Sequence, residues 1–513
     1  MGENNKTSQK TISKSFEKVS NKIEDFLTNC ESKLKKLVSV DFLICLLVNF
    51  FVIFSSTCCF GGTGRFSIDG YNAKQIGGAS EQFVSCLRPF GALVFLIMNA
   101  FGHNPIHNTL PDFLIFATSA SIIVSVMTFV VYKNVPNLKQ SKVKLCLLDM
   151  GLLLTVLNTY FADSLSFPEC IFIHSLALAM TVTAVLLFTF KDSVKAYILA
   201  TVLITASTAT YQTYIFLFAV LTATLLIATD KITLKKIISF FAVLLVSGIS
   251  YAVIALLTAK LTAINVNNRA SFSLLAVFER LFFVASKQKS YLQGRGTFND
   301  ATLLCCFILL FLIWIFALLF SRESKKTKVF HIIGFIFCYS VIWIPNILST
   351  SNGFRSVFSL FAIPLFVIIS ATALLNEKII KYTLFAVVTV MLASNIFRFN
   401  QIEIDLCKQN ALDAEWAKEI IYNIEEYEKT NNAEVKYIAI ADDEESVKTL
   451  SESARNVPWA DVNCINEFSE KEYVKVDMPE AVYEQYFKGK NWDVFVADEQ
   501  LVFIGDTLYI CNY

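Results

Sequence analysis

Apolar runs recur along the chain near 41–60, 111–132, 145–162, 167–190, 194–209, 211–229, 236–258, 300–320, 329–348, 356–375 and 379–399. A helix of about 20 apolar residues crosses a hydrocarbon layer of about 30 Å. Buried in lipid, backbone N–H and C=O groups must pair within their own segment, so such runs are expected to be helices. The composition agrees: 55% of the 513 residues are hydrophobic and 17% charged, against about 25% charged in soluble domains. The expectation is a polytopic α-helical membrane protein with about 11 transmembrane helices.

Charge between the runs orients them. KNVPNLKQSKVK, KDSVK, DKITLKK, SRESKKTK and NEKIIK all carry lysine or arginine, whereas ADSLSFPE and ATYQ carry none and STSNGFR has one arginine. Basic loops stay on the cytoplasmic side. The chain is therefore expected in the cytoplasmic membrane with its N-terminus inside and its C-terminus outside. Segment 1–39 is cytoplasmic, basic and too polar for a cleavable signal peptide, and it reads equally as a surface-lying amphipathic helix or a solvated tail. Residues 40–399 form the transmembrane domain, with outer loops 61–110 and 260–299. Within those loops, LRPFGALVFLIMNAFG (87–102) and the stretch around Arg280 read as interfacial helices, with Pro89 suited to a first turn.

After residue 400 the composition becomes acidic and soluble. Residues 401–430 read as an amphipathic helix. VKYIAIA, DVFVAD, LVFIG and TLYIC read as strands, with EESVKTLSESA and EAVYEQYFK helical between them. Residues 400–513 are thus expected to form a small extracytoplasmic α/β domain. It is too acidic for nucleic acid and lacks a glycine-rich phosphate loop, so a capping role or recruitment of a protein partner suits it better than catalysis.

The stretch GRFSIDGYNAKQ places Asp69 where the first run leaves the membrane. A carboxylate there could act as general base on a hydroxyl, and Asp-Gly also fits a simple turn. Arg88, Arg280, Arg295 and Arg355 all fall in outer loops, against the charge bias. Their planar forks match phosphate oxygens, although any one alone also fits headgroup contact. Glu81, Asp163 and Glu169 are further outer carboxylates that could bind sugar hydroxyls or sit solvated. Tyr211 and Gln212 could hydrogen-bond a sugar or anchor at the headgroups. His103 and His107 lack a third ligand, and the 13 cysteines lack zinc spacing, so neither a metal nor a cofactor is called for.

The order Ile-Asp-Gly-Tyr, CLRPFGALVFLIMNAFG, SFPECIF and TATYQTYIFLF resembles the bacterial glucosyltransferase family that modifies O-antigen side chains, membrane enzymes of the GT-C class. The resemblance spans roughly residues 40 to 400. It implies transfer of a sugar, glucose above all, from a polyprenyl-phosphate donor to an envelope polysaccharide at the outer face of the membrane, with inversion. Asp69 matches the family's first-loop acid. Relatives often show two adjacent acids there, whereas here Gly70 follows. Arg88 matches the arginine after it, and Arg355 in NGFRSVF is a looser match. The competing reading is a transporter or flippase of a lipid-linked saccharide. That reading predicts internal repeats and broken helices at the midplane, and the sequence displays neither.

Overall fold

The computed structural model describes residues 39–61, 66–75, 79–105, 109–138, 141–229, 232–266, 273–294, 300–349, 353–443 and 453–512. The basic segment 1–38, His107, Arg295 and most of EESVKTLSESA lie outside the described residues.

The chain opens with α1 (Val40–Gly61), α2 (Ile68–Gln75), α3 (Ala79–Ser85) and α4 (Pro89–Ala100). Then come α5 (Thr109–Asn134), α6 (Lys142–Leu153), α7 (Thr159–Leu165), α8 (Pro168–Phe190), α9 (Val194–Thr210), α10 (Tyr214–Ala228) and α11 (Leu234–Thr262). Helices α12 (Leu274–Ser286) and α13 (Gln288–Leu292) lead into α14 (Ala301–Phe320), α15 (Lys325–Ile342) and α16 (Ile344–Leu348). A 3-10 stretch, Phe354–Ala362, runs into α17 (Ile363–Leu374), and α18 (Lys378–Asn431) follows.

Among the described residues seven segments are long and apolar enough to cross a membrane: Val40–Cys58, α5, α8, α11, α14, Phe354–Leu374 and α18. Helices α4, α9 and α10 are apolar but shorter. Phe354–Leu374 is buried almost throughout and forms the centre of the bundle. On α11, by contrast, Leu245, Val246, Ile249, Val253, Leu256 and Leu257 are exposed, as a lipid-facing surface requires.

Several expected elements differ. The run 145–162 is not one helix. It breaks after α6, and the Asn158 side chain accepts from the Phe161 N–H at 2.9 Å, capping α7 from inside an apolar stretch. The run 356–375 starts as a 3-10 turn because Pro364 enters at the first turn of α17, where its missing N–H costs nothing. Most consequentially, 379–399 and 401–430 are one 54-residue helix, α18. No proline or glycine interrupts it until Asn432 ends it in a left-handed conformation, φ 50°.

Beyond α18 lie β1 (Tyr437–Asp442), α19 (Asp461–Phe468), β2 (Val474–Val476), α20 (Glu480–Tyr486), α21 (Ala497–Gln500), β3 (Leu501–Ile504) and β4 (Thr507–Asn512). The sheet order is β2-β1-β4-β3, with β1 parallel to β2 and β4, and β3 antiparallel to β4. DVFVAD is not a strand. Just before it the Trp492 N–H donates to Asp443, and within it the Val496 N–H donates to Gln500, so these donors go to side chains rather than to a ladder. The hydrophobic core of this unit includes Trp416 and Ile420 of α18, Cys464 and Ile465 of α19, and Tyr71 of α2. The first loop is therefore built into the C-terminal unit.

Candidate functional site

Asp69 sits in the first turn of α2. Ser67 caps that helix, its Oγ accepting from the Gly70 N–H at 2.8 Å, and the same hydroxyl donates toward both carboxylate oxygens of Glu169 at 3.2 Å. Just before the cap, the Phe66 N–H donates to Oδ1 of Asn410 on α18 at 2.7 Å, and the Phe66 ring stacks on Tyr71 at 4.8 Å. Burial, with Cys464 and Asp413 close by, pushes the Tyr71 phenol well above the usual tyrosine range, so it stays neutral. The Asp-Gly pair is thus part of a capped helix tied to α8, α18 and the C-terminal core.

Arg88 precedes α4, with Pro89 at the first helical position as its fixed φ favours. The chain reaches Arg88 through Leu87 at φ 58°, a left-handed conformation that a residue with a Cβ resists. Two side chains pin that turn. Gln212 donates to the carbonyls of Cys86 (2.7 Å) and Leu87 (3.2 Å), and Tyr251 donates to Leu87 O at 3.1 Å. Gln212 also accepts from Arg88 Nε at 3.3 Å. The guanidinium lies 4.3 Å from the centre of the Tyr211 ring, a cation–π contact. Arg355, at the head of the 3-10 stretch, lies in the same way 4.4 Å from the Phe167 ring.

These groups surround a narrow recess of about 30 Å³, walled by Asp69, Arg88, Glu169, His174, Tyr211 and Arg355 among others. Its walls at Arg88, Phe167, Tyr211 and Arg355 are shared with a much larger cleft of about 840 Å³. Asp163, Gln212 and Tyr251 continue the polar lining, and Phe216, Val266, Leu348 and Phe354 supply apolar wall. The far wall comes from α18, through Leu406, Asn410 and Asp413. A pocket with two carboxylates, two guanidiniums and an adjoining apolar groove can hold an amphiphile whose anionic group lies against the guanidiniums.

Of the residues singled out in the sequence, Asp69, Arg88, Asp163, Glu169, Tyr211, Gln212 and Arg355 meet around this connected space. Arg280 does not line it: its Nη1 donates to the Ile347 carbonyl at 3.2 Å, near the end of α16. Glu81 is exposed on α3 and does not line the cavity. His174, Tyr251, Asn410 and Asp413 were not anticipated. The signal for His174 was present, since a polar ring inside an apolar run is a functional candidate by default. Asn410 and Asp413 gave no local signal, because they reach the cleft only if α18 continues unbroken.

Comparison with curated proteins gives no match. The model of one protein family, described as glucosyl transferase GtrII, matches residues 58–375. Those residues include every element of the recess, and leave the C-terminal unit and all of α18 outside. With more than half of its length matched, a stretch that carries Asp69, Arg88 and Arg355 on one cavity, the chain belongs to the GtrII glucosyl transferase family.

Proposed function

We propose that this protein moves a glucosyl group from a polyprenyl-phosphate donor to an envelope polysaccharide at the outer face of the cytoplasmic membrane, with inversion, using Asp69 as general base. The observation that carries this reading is the meeting of Asp69, Arg88 and Arg355 at a recess that opens along an apolar-walled cleft. The lipid phosphate would lie against the two guanidiniums and the polyprenyl chain along the apolar wall. The acceptor hydroxyl attacks the anomeric carbon and gives its proton to the Asp69 carboxylate. The anomeric C–O bond to phosphate breaks, and the electron pair leaves on the phosphate, where Arg88 and Arg355 offset the added charge. One displacement inverts the anomeric centre.

Residues 400–513 would then lie on the same side as the Asp69 loop and close the cleft through Leu406, Asn410 and Asp413. A flippase reading has no support from a family of transferases. The test is purified protein given polyprenyl-phosphate glucose or a nucleotide-glucose, with a lipid-linked or polymeric acceptor. The proposal expects glucose transfer from the lipid donor only, and product of the opposite anomeric configuration. Transfer from the nucleotide donor, or retained configuration, would overturn it.

A further inference from the structure

His174 stands on the second turn of α8, fully buried, in the wall of the recess that also holds Asp69, Arg88, Glu169 and Arg355. Its ring is clamped. Phe161 meets it edge-on at 5.4 Å, Tyr211 lies at 4.8 Å, and Nδ1 is 3.0 Å from the Tyr214 hydroxyl. That hydroxyl is also 3.2 Å from the backbone carbonyl of His174. A phenol has one proton to give, and a carbonyl can only accept. The Tyr214 hydroxyl donates to the carbonyl, and its oxygen is then placed to accept from Nδ1–H of the ring. The ring is fully buried, where an imidazolium charge is costly, so it is the neutral Nδ1–H tautomer and Nε2 presents a lone pair. Nε2 is buried, and among the described residues nothing donates to it. A buried acceptor without a donor is uncommon in native proteins and points to a group that arrives from outside.

What can supply that donor follows from the neighbours. A phosphodiester has no proton to give, so the lone pair disfavours the phosphate and selects a hydroxyl. The recess is large enough for a hydroxyl-sized group. We infer that His174 is a specificity-determining residue whose Nε2 accepts a hydrogen bond from one hydroxyl of the transferred sugar. This rests on the lipid-linked sugar donor proposed above, and it adds the group that reads the sugar. Tyr214 acts through His174 as a positioning residue, fixing the tautomer.

The test compares polyprenyl-phosphate glucose with its 2-, 3-, 4- and 6-deoxy analogues, in wild type, His174→Phe and His174→Gln. Wild type should lose about 10- to 100-fold in kcat/KM for one analogue only, the loss expected when a buried acceptor is left unpaired. His174→Phe should treat that analogue and glucose alike within about threefold, and His174→Gln, which keeps an acceptor oxygen near the Nε2 position, should retain part of the discrimination. Equal discrimination in wild type and His174→Phe would overturn the assignment and mark the Nε2 partner as a water. If His174→Phe does not fold, the wild-type series decides: four analogues accepted alike overturn it. Absence of any transfer by wild type from the lipid donor would instead remove the donor reading itself.

Discussion

The guanidinium of Arg88 lies 4.3 Å from the centre of the Tyr211 ring, with its Nε bonded to the next residue in sequence, Gln212. The turn between α9 and α10 therefore holds the arginine that precedes α4. Replacing Arg88 by Ala should lower kcat/KM by about 10²-fold, the order seen when one charge-stabilising donor is removed. Arg88→Lys keeps the charge but loses the planar fork and the stack, and should recover only part of the loss. Steady-state kinetics with varied donor would check both.

Gln212 should matter through position rather than contact with the reacting atoms. Gln212→Leu takes one donor from the carbonyl of Cys86 and leaves that of Leu87 with Tyr251, which loosens a turn whose left-handed residue costs about 1–2 kcal/mol to hold. The expected result is a lower melting temperature together with a raised KM for donor and a smaller change in kcat. An unchanged KM would show that the turn does not place Arg88.

The bundle is packed tightly where α15 meets α10 and α17. A Cβ on Gly334 would fall 2.1 Å from Cδ1 of Ile227 and 3.3 Å from Cε2 of Phe366. Gly334→Ala should therefore destabilise by about 1–3 kcal/mol through overpacking. Adding Ile227→Ala should reverse part of that, since the two side chains would compete for one space. Thermal melts in one detergent measure both effects.

Asp413 provides a pH-dependent prediction for the C-terminal unit. Its carboxyl is almost fully buried and accepts from the Ala454 N–H, the Ser453 hydroxyl and Gln409. Burial pushes its pKa up, and the three donors only partly offset this. The folded state then holds the proton more tightly than the unfolded chain, so this residue's contribution to stability is fullest below its unfolded pKa of about 3.9 and falls as pH rises through the folded value. Asp413→Asn should flatten that slope. Melting curves of the full chain between about pH 4 and pH 7 should show the wild-type advantage over the variant shrinking as pH rises, and a growing advantage would contradict the assignment.

The sequence made the membrane class legible because apolar length is a one-dimensional property. It also exposed Asp69, Arg88 and Arg355, since charges between apolar runs stand out against an apolar background. Boundaries within apolar runs were less readable. Asn158 capping a helix inside the run 145–162 is a single-residue signal, easily overridden by the hydropathy around it. Asn410 and Asp413 illustrate a deeper limit. The drop in hydropathy at residue 400 looks like a domain boundary, yet the backbone carries no helix-breaking residue there and α18 runs straight through. Composition marks where the solvent changes, whereas helix termination depends on caps and breakers. The same loss hid the anchoring of α2, because Phe66 and Asn410 are 344 residues apart.

In the proposed mechanism the Asp69 carboxylate takes the acceptor's proton. The direct measurement is Asp69→Asn in purified protein, with glucose transfer from polyprenyl-phosphate glucose and donor affinity determined on the same sample. The account predicts transfer lower by about 10²- to 10⁴-fold, the range for loss of a general base, with donor affinity within a few-fold of wild type. Transfer by the variant at a rate close to wild type would contradict it.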